Sequence, residues 1–158
     1  MKLKNPTLLI VSLFSSFSAA ALGSFFTVGS IPTWYATVNK PVFSPPNWIF
    51  GPVWTLLYFL MSISLYLVFV KIKKNKQALL WVKVFCVHLI FNSLWSIVFF
   101  GMKKIGLAFI VILILWGMIF YLAKTAKKIS PVSSYLLYPY LAWVSFATLL
   151  NFAVWRLN

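Results

Sequence analysis

The sequence contains no aspartate and no glutamate, and only one histidine and one cysteine in 158 residues. Paired-carboxylate acid–base catalysis is therefore excluded. So are carboxylate metal sites and the Asp/Glu proton relays of membrane pumps. His88 and Cys86 by themselves lack the further ligands that a zinc site needs, so no metal site is expected. A single cysteine rules out a disulfide within the chain. Neither Cys86 nor any serine stands in a recognisable nucleophile motif. Charged residues of every kind are scarce, at 9%, against roughly 25% in a soluble domain. Such a chain cannot cover a water-facing surface, and its solvent must be lipid.

What fills the sequence instead is apolar and aromatic: hydrophobic residues make up 63% of it, and 8 of them are tryptophan. The length predicts one domain, 1–158. A spanning helix takes about 20 apolar residues. Runs of that kind predict an all-α integral membrane bundle of five transmembrane helices, over 7–28, 48–70, 79–100, 105–123 and 132–155. The connections "KIKKNK", "GMKK" and "KTAKKISP" are short, so neighbouring helices should run antiparallel. The loop 29–47 is longer and rich in aromatics and proline. Pro52 falls in the first turn of the second helix, where proline is tolerated. Pro139 lies inside the last one and predicts a kink or a local adjustment.

The first run has two readings. "MKLKNPTLLIVSLFSSFSAAALG" has a basic start, an apolar centre and an Ala-x-Ala site at Ala19–Ala21, the shape of a secretory signal. Its continuation through Phe25 and Phe26 without a polar break favours a retained helix. Ser12, Ser16, Ala20 and Ser24, beside Ser15, Ala19 and Gly23, repeat small residues every four positions, a spacing that lets helices approach closely. An ordinary, weakly polar span would show much the same pattern.

The formal charge of +14 sits mostly at the ends of the apolar runs. It forms no interleaved basic–aromatic patch, so nucleic acid is not an expected partner and anionic lipid headgroups are. Lys2, Lys4, Lys71, Lys73, Lys74, Lys76, Lys83, Lys124, Lys127 and Lys128 fall on one side of the bilayer, and Lys40, Lys103, Lys104 and Arg156 on the other. The positive-inside rule then predicts a cytoplasmic N-terminus, with the C-terminus and the loop 29–47 outside.

Trp34, Tyr35, Trp48, Trp81 and Trp155 fit an interfacial aromatic belt, whereas Trp54, Trp95, Trp116 and Trp143 lie deeper. Steps of three and four place His88, Asn92, Trp95, Ser96 and Phe99 on one face of the third helix. By the same spacing Tyr140, Trp143, Ala147 and Asn151 share a face on the last helix, and Trp54 and Tyr58 on the second. These stripes can serve interhelical hydrogen bonds, each worth about 1 kcal/mol. They can equally line a cavity with flat aromatic walls, neutral hydrogen-bonding groups and cations at the rim. Such a cavity would suit a planar, largely apolar ligand with anionic groups.

The segments "KPVFSPPNWIFGPVWTLLYFLMSISLYLV", "FNSLWSIVFFG" and "LLYPYLAWVSFATLLNFAVWRLN" closely resemble the TspO/MBR family. These are the tryptophan-rich sensory proteins of bacteria, related to the mitochondrial translocator protein. The resemblance covers essentially the whole chain and is weakest in the first helix and the lysine loops. It implies a five-helix bundle, usually a homodimer, with a porphyrin pocket near one membrane face and the loop 29–47 as its lid. It implies pocket roles for Trp54 in "GPVWT", for Trp143 in "PYLAWVSFA", for Trp34 and Tyr35 from the lid, and for Asn92 and Trp95. Together with the stripe residues Tyr58, His88, Ala147 and Asn151, these form the expected ligand-binding set.

The expected ligand is a tetrapyrrole, protoporphyrin IX or haem, with no cofactor required. The implied roles are sensing, carriage, or light-dependent porphyrin breakdown in which Trp54 and Trp143 are the candidate reactive residues. A membrane bundle that interacts with lipid and has no specific ligand is the remaining alternative. Two departures stand out. His88 replaces a glutamine common among relatives, and would offer a tetrapyrrole-facing imidazole or an axial ligand to haem iron. Phe152 stands where the cholesterol motif of animal relatives needs tyrosine, so sterol binding is not expected.

Overall fold

A computed structural model describes residues 5–158. Lys2 and Lys4 of the charge count lie outside these described residues. Six α-helices follow in order: α1 Pro6–Thr27, α2 Trp34–Thr37, α3 Phe50–Phe69, α4 Lys76–Ser96, α5 Ile105–Ile129 and α6 Pro131–Leu157. There is no strand among the described residues. All but α2 are long and apolar enough to cross a membrane. Large apolar side chains such as Phe14, Phe25, Ile90 and Leu149 are exposed on the outside of the bundle, the pattern of a protein solvated by lipid.

The helix starts follow local chemistry. The Asn5 side chain accepts from the backbone N–H of Leu8, and Pro6 occupies the first turn of α1. Asn75 caps α4 by accepting from the Gln77 N–H at 2.9 Å, which starts that helix ahead of the apolar run that predicted it. Helix α5 outruns its expected end at 123 because the lysine-rich segment is itself helical. Ala126 and Ile129 turn inward while Lys124, Lys127 and Lys128 face out. Pro131 opens α6, and the helix continues unbroken through Pro139, whose ring is exposed.

Helix α4 ends in a π turn, Ile97–Gly101, with the Met102 N–H bonded to the Ile97 carbonyl at 2.8 Å. Val98, Phe99 and Phe100 are all buried in this wider turn. The tight connection to α5 places Lys103 at φ 58°, the left-handed region.

The bundle packs α5 against α6 and α4, α1 against α3 and α4, and α3 against α6. Lipid is as apolar as leucine, so close packing and hydrogen bonds hold these helices together. At Gly23 an added Cβ would sit 3.2 Å from the Ser96 hydroxyl, and the Ser93 hydroxyl donates to the Ala19 carbonyl, so α1 and α4 nearly touch. The packed face of α1 is Ser12, Ser16, Ala19 and Gly23. Ser64 and Ser133 join α3 to α6 by a 2.7 Å hydroxyl contact. Trp81, expected at the interface, is instead fully buried, its indole N–H donating to the Leu122 carbonyl at 2.9 Å. A hydrogen-bond partner on α5 outweighs the headgroup region here.

Candidate functional site

A cavity of about 450 Å³ opens between α1, α3, α4 and α6 beneath the loop that follows α1. That volume lies within the range of about 300–1,000 Å³ typical of small-molecule sites. Helix α3 contributes Phe50, Trp54 and Tyr58; α4 and its π turn contribute Asn92, Trp95, Phe99 and Phe100. Helix α6 contributes Trp143, Ala147, Leu150 and Asn151, and the loop contributes Ile31 and Tyr35. The spacing along α3, α4 and α6 thus brings Trp54, Tyr58, Asn92, Trp95, Ser96, Phe99, Trp143, Ala147 and Asn151 to one wall, while His88 and Tyr140 of the same stripes lie off it.

Two expected residues are not on this wall. Trp34 packs edge-on against Phe99 and Phe100 behind it. His88 is fully buried: its Nδ1 lies 3.2 Å from the Phe85 carbonyl and its Nε2 3.0 Å from the Tyr140 hydroxyl. Both ring nitrogens are engaged and the imidazole does not face the cavity, so the wall does not fit axial ligation of haem iron by His88. No cluster of metal-ligating side chains occurs among the described residues.

His88 instead anchors a chain of buried polar groups. The Tyr58 hydroxyl donates to Asn92 Oδ1. Asn92 Nδ2 donates to the Tyr140 hydroxyl at 2.8 Å. That leaves the Tyr140 hydrogen for His88 Nε2, so His88 carries its own proton on Nδ1 and donates it to Phe85. One end of the chain, at Tyr58 and Asn92, is cavity wall; the other is core. Trp95 is fixed similarly, donating to Asn151 Oδ1 at 3.0 Å while Asn151 Nδ2 donates to the Ile105 carbonyl.

Trp143 differs. Its indole N–H is shielded from solvent and has no acceptor. The ring meets Phe50 and Phe146 and packs against the buried core. A buried donor left unpaired is costly, and such groups in native structures commonly mark a missing partner. Trp54 lies on the same wall, its ring 5.6 Å from Tyr58 and 6.1 Å from Tyr140.

The covering loop is tied down at several points. The Ser30 hydroxyl donates to the Phe100 carbonyl at 3.0 Å. The Asn39 backbone pairs in both directions with the Asn158 side chain, each bond 3.0 Å. Phe43 meets Phe146 of α6 edge-on. Tyr35 is buried against Phe99 and Phe100, with the Lys40 ammonium 4.6 Å above its ring. Burial raises the Tyr35 hydroxyl above its ordinary pKa, and a hydrogen bond with Ser44 partly offsets the shift.

The wall also includes Phe17, Ala20, Gly23, Ser24 and Thr27 of α1, a contribution that the aromatic and polar stripes did not indicate. The signal lay in the small residues at 20, 24 and 27. Small side chains leave room for a ligand as readily as for a neighbouring helix.

A model of the TspO/MBR family matches residues 10–156. The tryptophan-rich protein TspO of Archaeoglobus fulgidus is 43% identical over 154 residues, covering 98% of this chain and 99% of the relative. The protein CrtK of Rhodobacter capsulatus is 36% identical, with 96% and 93% covered. The human translocator protein is 37% identical, with 87% and 82% covered.

Proposed function

The chain belongs to the TspO/MBR family and is a multi-pass integral membrane protein, and from that premise we propose that its cavity binds a tetrapyrrole such as protoporphyrin IX, making it a membrane receptor or carrier for porphyrins. The observation that carries this reading is the wall itself. Trp54, Trp95, Trp143, Phe50 and Phe99 surround a space of about 450 Å³ with flat apolar surface. Flat aromatic rings stack on a planar macrocycle. With no Asp or Glu, no acidic side chain repels the ligand's anionic groups, and Lys40 of the covering loop supplies a cation. The proposal includes a homodimer and an N-terminus on the cytoplasmic side, which follows from the distribution of lysines.

Titrating the purified protein with protoporphyrin IX, followed by intrinsic tryptophan fluorescence, tests the binding. We expect saturable quenching that Trp143→Phe weakens by roughly 2- to 12-fold, the value of one aromatic contact. Quenching that is linear, matches partition into empty micelles and ignores the substitution would sink the proposal.

A second reading has its own support. Trp54 and Trp143 both lie on the cavity wall, where a bound porphyrin would be in contact with them. Under illumination either indole could react with the excited ligand or with the reactive oxygen it generates. Light-driven loss of porphyrin absorbance that survives both Trp54→Phe and Trp143→Phe would exclude that chemistry.

A further inference from the structure

On the outside of the bundle α5 and α6 form a second concavity, a groove of about 600 Å³ lined by Phe120, Lys124, Lys127, Lys128, Tyr138 and Leu141. It is separate from the ligand cavity, which lies between α1, α3, α4 and α6. Phe120, Lys124 and Lys127 follow each other at helical spacing, so the groove is cationic toward the end of α5 and apolar deeper in the span. The apolar track continues one turn further, where Trp116 stacks on Phe120 with ring centroids 5.6 Å apart and planes 7° from parallel. Trp116 is held there by its N–H bond to the Ser145 hydroxyl at 2.7 Å.

The topology signal and the α5 dipole call for cations at this end, but no local structural task holds these three in place. The natural one would be bonding the last carbonyls of α5. Lys71 of the α3–α4 connection does so instead, its ammonium 2.6 Å from the Ile129 carbonyl. The chain has no carboxylate side chain to pair with Lys124, Lys127 and Lys128. Tyr121, Tyr135 and Tyr138, all exposed at this end, form a belt of the kind found at headgroup level.

We infer that this groove is a specific site for one anionic phospholipid, its phosphate on Lys124, Lys127 and Lys128 and an acyl chain along Phe120 and Leu141. The order of cation, aromatic belt and apolar track matches the order of phosphate, glycerol and acyl chain. A zwitterionic lipid has a choline or ethanolamine cation that three lysines repel. The inference rests on membrane insertion and does not depend on what the ligand cavity binds.

Native mass spectrometry of the purified full chain in detergent provides the test. The protein is titrated with phosphatidylglycerol or phosphatidylcholine of identical acyl chains. One phosphatidylglycerol should be retained where phosphatidylcholine is not. Lys124→Gln/Lys127→Gln should weaken that binding roughly 30-fold, the equivalent of about 1 kcal/mol for each lysine near a charged headgroup. Lys103→Gln/Lys104→Gln removes the same charge from the connection before α5 and should leave it unchanged. Equal loss in both double variants, equal retention of the two lipids, or displacement by millimolar inorganic phosphate would overturn the inference. The substituted lysines are exposed, so unchanged helical content by circular dichroism is expected in both variants.

Discussion

Tyr140→Phe removes one oxygen from the centre of the buried chain and leaves the ring in place. The Tyr140 hydroxyl accepts from Asn92 Nδ2 at 2.8 Å and lies 3.0 Å from His88 Nε2. Its loss orphans one group on each neighbour while sparing the Tyr58–Asn92 and His88–Phe85 bonds. Packing against Trp54 and His88 is retained, because those contacts use the ring. Interhelical hydrogen bonds in membranes average about 0.6 kcal/mol and reach about 1.7. Two of them therefore predict a cost of roughly 1–3 kcal/mol, with the upper end reached only if no water enters.

The assay is reversible unfolding in mixed micelles, run as a double-mutant cycle with Tyr58→Phe. Tyr58 and Tyr140 share Asn92 as a hydrogen-bond partner and Trp54 as a ring neighbour. Both substitutions keep the rings, so coupling of about 0.5 kcal/mol or more is expected if the hydrogen-bonded chain acts as a unit. Tyr138→Phe, an exposed tyrosine on the same helix, should be close to neutral. A Tyr140→Phe cost no larger than that of Tyr138→Phe, and additive with Tyr58→Phe, would refute the reasoning. The buried chain would then be filling space and contributing no stability.

Two further outcomes can be checked independently. Trp95→Phe should destabilise the ligand-free protein more than Trp143→Phe in the same assay, by about 1 kcal/mol, because it strands Asn151 Oδ1 whereas Trp143 donates to nothing. Equal costs would show that the indole N–H groups are energetically equivalent. Asn158→Ala should release the covering loop at Asn39, raising hydrogen exchange of the Asn39 amide by roughly 5- to 30-fold, the equivalent of one to two net hydrogen bonds. Unchanged exchange there would mean that Phe43 and Ser30 hold the loop without it.

Much of the architecture was legible before any coordinates, because lipid imposes a simple rule on sequence. A spanning segment must satisfy its own backbone, so each apolar run had to be a helix. The absence of Asp and Glu likewise excluded any role for a carboxylate side chain. Helical spacing was enough to put Trp54 with Tyr58, Asn92 with Trp95, and Trp143 with Ala147 and Asn151, because residues three and four apart share a face wherever the helix sits. The departures from expectation concern partners. Trp81 looked interfacial from its place near the start of α4, and only the presence of the Leu122 carbonyl across the bundle makes it core. His88 looked available to a ligand, but the Phe85 carbonyl takes one ring nitrogen and Tyr140, across the bundle on α6, takes the other.

Periodicity along one helix specifies which face a side chain occupies, while the rotation and neighbours of that helix specify what the face meets. The sequence by itself therefore determined the five spans, the family and the shared faces. The tertiary structure decided that α1 completes the cavity with small residues, that Trp143 is left without an acceptor while Trp95 is not, and that three lysines of α5 flank an apolar groove. Each of these depends on the distance between helices far apart in the chain, and one-dimensional spacing does not encode that distance.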